Sequence, residues 1–158
     1  MNNLLGNFYQ SKRAWQIESS LPVSFTVHYS NNIFDPKNYD MISYTEETRS
    51  LVVCDENVYN LYSGAIHNYF ERMKRDFKIL KIKCSEPDKT WETTDRILSF
   101  FEKSKVARRE PIIAIGGGVC LDIVGFACSI YRRGIPYIKI PTTLLAIVDA
   151  SVGVKVAT

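Results

Sequence analysis

From Leu51 onward, short unbroken apolar runs alternate with longer stretches in which apolar residues recur every three or four positions. Leu51-Val52-Val53-Cys54 has the length and continuity of a strand buried on both faces, and it ends at Asp55. Asp55-Glu56-Asn57 then opens a helix to about Lys74, with Leu61, Ala65, Tyr69 and Met73 on one stripe. Phe77 to Ile82 is the next strand and Ser85 to Lys89 a loop. Trp91 to Lys103 has Ile97, Leu98, Phe100 and Phe101 at helical spacing. Pro111 to Ile115 is a further buried strand that runs into Gly116-Gly117-Gly118. A helix from Val119 to about Tyr131 follows, with Gly134 as its C′ residue. Tyr137 to Ile140 is a strand, and Pro141-Thr142-Thr143 starts another helix. This order predicts an α/β fold, a Rossmann-like parallel sheet with helices on both faces.

Ahead of Leu51 the pattern is weaker. Val23, Phe25, Val27 and Tyr29 alternate with polar residues, the period of a half-exposed strand. Asn31-Asn32 and Phe34-Asp35-Pro36 supply turn chemistry. Residues 1–20 are polar and turn-forming, and are expected to be an arm on a domain covering 21–158.

Composition narrows the class. Hydrophobic residues make up 46% and charged residues 23%, the balance of a globular domain and not of a disordered chain. The net charge of +3 comes without a block of like charges, so neither nucleic acid nor a membrane surface is an expected partner. No apolar run approaches the roughly 18 residues of a membrane span, and residues 1–16 lack the order of a secretory signal. The four cysteines form no CxxC pair, which fits reduced, buried thiols of a cytoplasmic protein. His28 and His67, the two histidines, have no acid or cysteine at ligand spacing, so no metal site is expected.

The candidate chemistry sits where strands turn into helices. Gly116-Gly117-Gly118 lets the backbone approach a ligand and permits positive φ. The first N–H groups of the helix that follows then face a phosphate or pyrophosphate. The spacing is not that of the GxGxxG fingerprint, and a bare turn remains the alternative. Asp122, expected in the first turn of that helix, either caps it through the helix dipole or accepts from a ligand hydroxyl. Asp55 either caps a helix or accepts from an adenosine ribose. Both hydroxyls of Thr142 and Thr143 fall at N-cap positions. Asp149 and Lys155 lie in an otherwise apolar stretch, as a mutual salt bridge or as an active-site pair.

Taken together, these residues resemble one family. Gly116 to Ala127 reads GGGVCLDIVGFA, similar to the GGGxxxDxxGFxA signature of the dehydroquinate synthase superfamily, the sugar-phosphate cyclases. Residues 141–145 (PTTLL) and 148–155 (VDASVGVK) resemble its PTTLLxxVDxSVGxK segment, and Glu86 and Lys89 fall in its ExxK motif. Ala150 and Val154 look more like the 2-epi-5-epi-valiolone synthase-like sedoheptulose 7-phosphate cyclases than like dehydroquinate synthases. The resemblance implies the N-terminal domain of a two-domain fold that binds NAD. It implies that bound NAD transiently oxidises a ring hydroxyl, that phosphate is then eliminated, and that the sugar closes by an intramolecular aldol step. On the same ground Asp55, Glu86 and Lys89 would hold adenosine and ribose, and Gly116, Gly117 and Gly118 the pyrophosphate. Asp122, Thr142 and Thr143 would complete the cofactor site, with Asp149 and Lys155 at the reacting end. The family's divalent metal (Zn or Co), bound by one Glu and two His, belongs to a second, helical domain beyond the matching segment. The resemblance therefore implies a fragment inactive alone and, for a full-length protein, a homodimer acting on a sugar phosphate. The alternatives are a 3-dehydroquinate synthase, an NAD-dependent polyol or iron-type alcohol dehydrogenase, and a non-catalytic nucleotide-binding domain.

Overall fold

The structure, a computed structural model, describes residues 7–10, 15–18, 24–45 and 49–153. Strands β1 (Asn7–Gln10) and β2 (Trp15–Glu18) form an antiparallel hairpin, with Asn7 opposite Glu18. The stretch read as an arm thus contains regular pairing. The remaining strands are β3 (Arg49–Asp55), β4 (Asp76–Ile82), β5 (Ile112–Gly116) and β6 (Tyr137–Pro141). They form a four-stranded parallel sheet in the order β4-β3-β5-β6. Between them run α1 (Glu56–Arg72), α2 (Trp91–Lys103) and α3 (Gly118–Ile130), with the short α4 (Leu144–Val148) after β6. The expected α/β architecture is therefore present.

Alternation along the buried strands divides the core between two layers. Leu51, Val53, Ile112 and Ala114 pack against Ile97 and Phe101 of α2 and the apolar face of α3. Val52, Cys54, Ile113 and Ile115 pack against Ile66, Tyr69 and Phe70 of α1. A period of two on a sheet covered on both sides produces this split. At the amino edge, Arg49 forks onto Glu110 (Nε–Oε1 2.6 Å, Nη2–Oε2 2.7 Å) and donates to the Ser104 carbonyl at 3.1 Å. This ties the start of β3 to the connection between α2 and β5.

Three local expectations fail, each for a physical reason. Residues 24–30 form no strand, and Phe25, Val27 and Tyr29 are all exposed. Among the described residues their alternation meets no neighbouring strand, and a lone strand leaves its backbone unpaired. In α1 the buried face is Ile66, Tyr69 and Phe70, with Met73 packed against it, so the carboxyl half of the expected stripe holds while Leu61 and Ala65 are exposed. α3 ends at Ile130, and Gly134 (φ +102°) instead closes a 3-10 turn over Tyr131–Arg133.

Candidate functional site

The carboxyl ends of β3 and β5 are neighbours from which the chain departs in opposite directions, towards β4 and towards β6. Open parallel sheets form a ligand crevice at such a reversal. Asp55 lies at the end of β3 and Gly116 at the end of β5. A Cβ on Gly116 would stand 2.5 Å from the Cys120 Cβ, 2.7 Å from its Sγ and 3.2 Å from the Asp55 Cβ. Gly116 is thus required by close packing of α3 on the sheet. None of Gly116, Gly117 and Gly118 has positive φ, so the freedom expected of them is not what the turn uses. A Cβ on Gly117 would meet Thr143 Cγ2 at 3.3 Å, and the nearest atom to one on Gly118 would be the Ala150 Cβ at 4.0 Å. The turn therefore opens progressively from the sheet outward.

Gly117 is the N-cap of α3 and supplies no side-chain cap. The first N–H groups of this thirteen-residue helix are consequently left to solvent or to an anion. Asp55 behaves as one of its two readings required: Oδ1 accepts from the N–H of Asn57 at 2.8 Å and of Val58 at 3.1 Å, capping α1. This cap does not use Oδ2. Asp122 lies beyond the first turn of α3, so it is no cap. It pairs instead with Lys89, Nζ–Oδ2 3.1 Å, both side chains about a quarter exposed or less. Two residues placed by different motifs thereby meet beside the glycine turn. Glu86 is exposed on the 3-10 turn Glu86–Asp88 after β4.

On the other side, the Thr142 N–H donates to the Gly116 carbonyl at 3.0 Å, which ties the end of β6 to the glycine turn. Thr143 is the N-cap of α4, its hydroxyl accepting from the Ala146 N–H at 3.2 Å, so only one of the two threonines caps. An open groove of about 660 Å³ flanks Thr142, walled by Phe34, Pro36, Val58, Tyr62 and Ile140. Asp149 follows α4 and is exposed. Leu144, Leu145, Ile147 and Val148 around it are at least half exposed, so the expected apolar burial of Asp149 is absent and with it the need for an ion-pair partner. Lys155 lies outside the described residues.

Sequence reasoning passed over Lys139. It sits on β6 opposite Ala114, and its Nζ donates to the carbonyls of Ala150 (2.7 Å) and Gly153 (2.9 Å). Burial lowers its pKa below the ordinary lysine value, against the raising effect of the Asp122 charge. A lysine inside an apolar run of a parallel sheet was the available signal.

Cys54, Cys120 and Cys128 are buried and Cys84 partly so, all as free thiols. Burial, with smaller contributions from Cys120 and Asp55, pushes the Cys54 thiol up to about 12, which leaves no reactive thiolate. His28 meets the Tyr44 hydroxyl, and His67 that of Tyr59 at 3.0 Å. Among the described residues no group of three or more His, Cys, Asp or Glu side chains is disposed to hold a metal ion, and no helix is long and apolar enough to cross a membrane.

Comparison with known proteins gives this arrangement a lineage. Residues 79–158 match the 3-dehydroquinate synthase N-terminal family. Demethyl-4-deoxygadusol synthase of Trichormus variabilis is 37% identical over 158 residues, covering 99% of this chain and 38% of its own. A 2-epi-5-epi-valiolone synthase of Streptomyces albus is 39% identical, over 94% of this chain and 37% of its own. The solved structure of ValA, a 2-epi-5-epi-valiolone synthase from Streptomyces hygroscopicus subsp. jinggangensis with NAD+ and Zn2+ bound, superposes with a TM-score of 0.83 at 34% identity, covering 88% of this chain and 38% of ValA. The chain thus spans well under half the length of these relatives. With half its residues matched by the family and its sheet superposing on ValA, the chain belongs to the 3-dehydroquinate synthase N-terminal family.

Proposed function

We propose that this chain is the NAD-binding part of a sugar-phosphate cyclase, a carbon–oxygen lyase acting on sedoheptulose 7-phosphate or a related sugar phosphate. The observation that carries the reading is the uncapped start of α3 at the reversal point of the sheet, with Asp55 on one flank and the Lys89–Asp122 pair on the other. The residues present fit NAD. The Gly118 position is open to 4.0 Å, so a pyrophosphate can approach the helix N–H groups closely. Asp55, with Oδ2 outside the helix cap, would accept from an adenosine ribose hydroxyl, and Glu86 and Lys89 would close over that half. Gly116, Gly117 and Gly118 would hold the pyrophosphate, while Asp122, Thr142 and Thr143 would line its continuation towards Asp149. When bound, NAD supplies reversible hydride transfer at a substrate hydroxyl. Asp149 would orient that hydroxyl, and Lys155 would contribute positive charge near the reacting carbon.

Ala150 and Val154 favour the valiolone synthase branch over dehydroquinate synthases; at similar identity, two valiolone synthases match 89% and 94% of this chain and two 3-dehydroquinate synthases 85%. The divalent metal proposed for the full-length enzyme takes no ligand set from the described residues. A homodimeric, cytoplasmic full-length protein completes the reading. Titration calorimetry of the 158-residue chain tests it. Weak NAD binding is expected, reduced at least tenfold by Asp55→Ala and by Gly117→Val, with no cyclitol formed from sedoheptulose 7-phosphate. Equal affinity in wild type and both variants would overturn the placement of the cofactor, and turnover by the chain alone would overturn the expectation that this part is inactive.

A further inference from the structure

Among the described residues, the hydrogen bonds that tie the turn after α4 to β6 come from one ammonium group, beside the packing of Ala150 on the core. The turn's backbone closes on itself through Ser151 N–H to the Ala146 carbonyl (2.8 Å) and through Val152 and Gly153 N–H to the Asp149 carbonyl (3.1 and 2.9 Å). Those bonds give the turn its shape and do not attach it to β6. The hydrogen-bonded attachment is Lys139, whose Nζ takes the carbonyls of Ala150 and Gly153, one at each side of the turn. Its Nζ stands 5.5 Å from the Tyr137 ring centroid, on the sheet face that packs against α3. A solvated lysine would not give up water for two main-chain carbonyls at these distances unless the site were built to receive it. The turn so held places the Ala150 Cβ 4.0 Å from where a Gly118 side chain would begin, across the open end of the glycine turn.

We propose that Lys139 is a positioning residue: by clamping the carbonyls of Ala150 and Gly153, it sets the Asp149–Gly153 turn against the start of α3. The clamp governs how far Asp149 stands from a ligand on the helix N-terminus. Its bearing on NAD rests on the function proposed above. Its bearing on the turn does not.

The test compares wild type, Lys139→Met and Lys139→Arg in the 158-residue chain. Amide hydrogen exchange without ligand is the first readout. Lys139→Met is expected to raise exchange at Val152 and Gly153 at least tenfold while the amides of β3 and β5 keep their protection. Lys139→Arg, which can still donate to two carbonyls, is expected to restore most of the protection. Unchanged exchange at the turn in Lys139→Met, or an equal rise throughout the sheet, would overturn the proposal. The second readout is a titration with NAD and with adenosine. Lys139→Met should weaken NAD about tenfold and leave adenosine unchanged, since adenosine carries no pyrophosphate to the start of α3 and its proposed place is on the Asp55 side. Local loosening with NAD affinity unaltered would reject the link to the ligand. A wild type that binds no NAD would reject the proposed function and leave the exchange result to decide the clamp.

Discussion

At the scale of the residue, three adjacent glycines do three different things. Gly116 is small because Cys120 and Asp55 occupy the space a side chain would need. Gly117 caps a helix while pressed against Thr143, and Gly118 faces open space. A single explanation for the run, ligand approach, was therefore too simple. The consequence is measurable. Gly116→Ala forces a Cβ to within 2.5 Å of another Cβ, so α3 must shift; overpacking of this kind costs about 1–3 kcal/mol. Gly118→Ala meets nothing closer than 4.0 Å and should leave stability within about 0.5 kcal/mol, because surface substitutions free of clashes usually do. Urea denaturation of both variants separates the two cases. Equal midpoints would mean that Gly116 and Gly118 experience the same surroundings.

At the scale of the element, legibility followed burial. α2 and β5 were read to within a residue and β3 to within two because the core presses on them, so apolar continuity and helical period carry the signal directly. Residues 24–30 kept the period of a strand yet pair with no strand among the described residues, and pairing is a property of the whole sheet that no local pattern encodes. The same holds for Lys89 with Asp122, whose motifs lie 33 residues apart and meet only through the packing of α2 beside α3. Arg49 with Glu110 is another long-range brace, and it carries a pH signature. Burial of Glu110 raises its carboxyl pKa, but the hydrogen bonds from Arg49 and the Ala107 N–H, with the Arg49 charge, outweigh this and hold it below the ordinary glutamate value. A carboxyl depressed in the folded state contributes stability that is present above its unfolded pKa and lost as pH falls through the folded one. Stability should therefore drop on acidification below about 4.5, the unfolded value. Glu110→Gln should remove that part of the dependence and cost about 2 kcal/mol at neutral pH. Thermal unfolding between pH 3 and 7 checks both, and an unchanged slope in Glu110→Gln would mean that the brace does not set acid stability.

At the scale of the whole molecule, the candidate residues lie along one edge of the sheet in strand order. Glu86 and Lys89 follow β4, Asp55 ends β3, the glycines end β5, and Thr142, Thr143 and Asp149 follow β6. Neighbouring strands stand about 4.8 Å apart, so the edge from β4 to β6 extends roughly 15 Å. An extended dinucleotide can span that length, whereas a mononucleotide covers about half of it. The two halves of the edge should then be separable by the ligands they discriminate. Asp55→Ala is expected to weaken ADP and NAD by similar factors, at least tenfold, because both carry the adenosine ribose. Thr142→Ala leaves the main-chain bond to Gly116 in place, so the turn is retained. It should weaken NAD several-fold and leave ADP unchanged, since only NAD reaches β6. Competition between ADP and NAD should also be complete, one excluding the other at a single site. If Thr142→Ala weakened ADP as much as NAD, the ligand would not lie along the strand order, and the adenosine would have to be placed towards β6 instead.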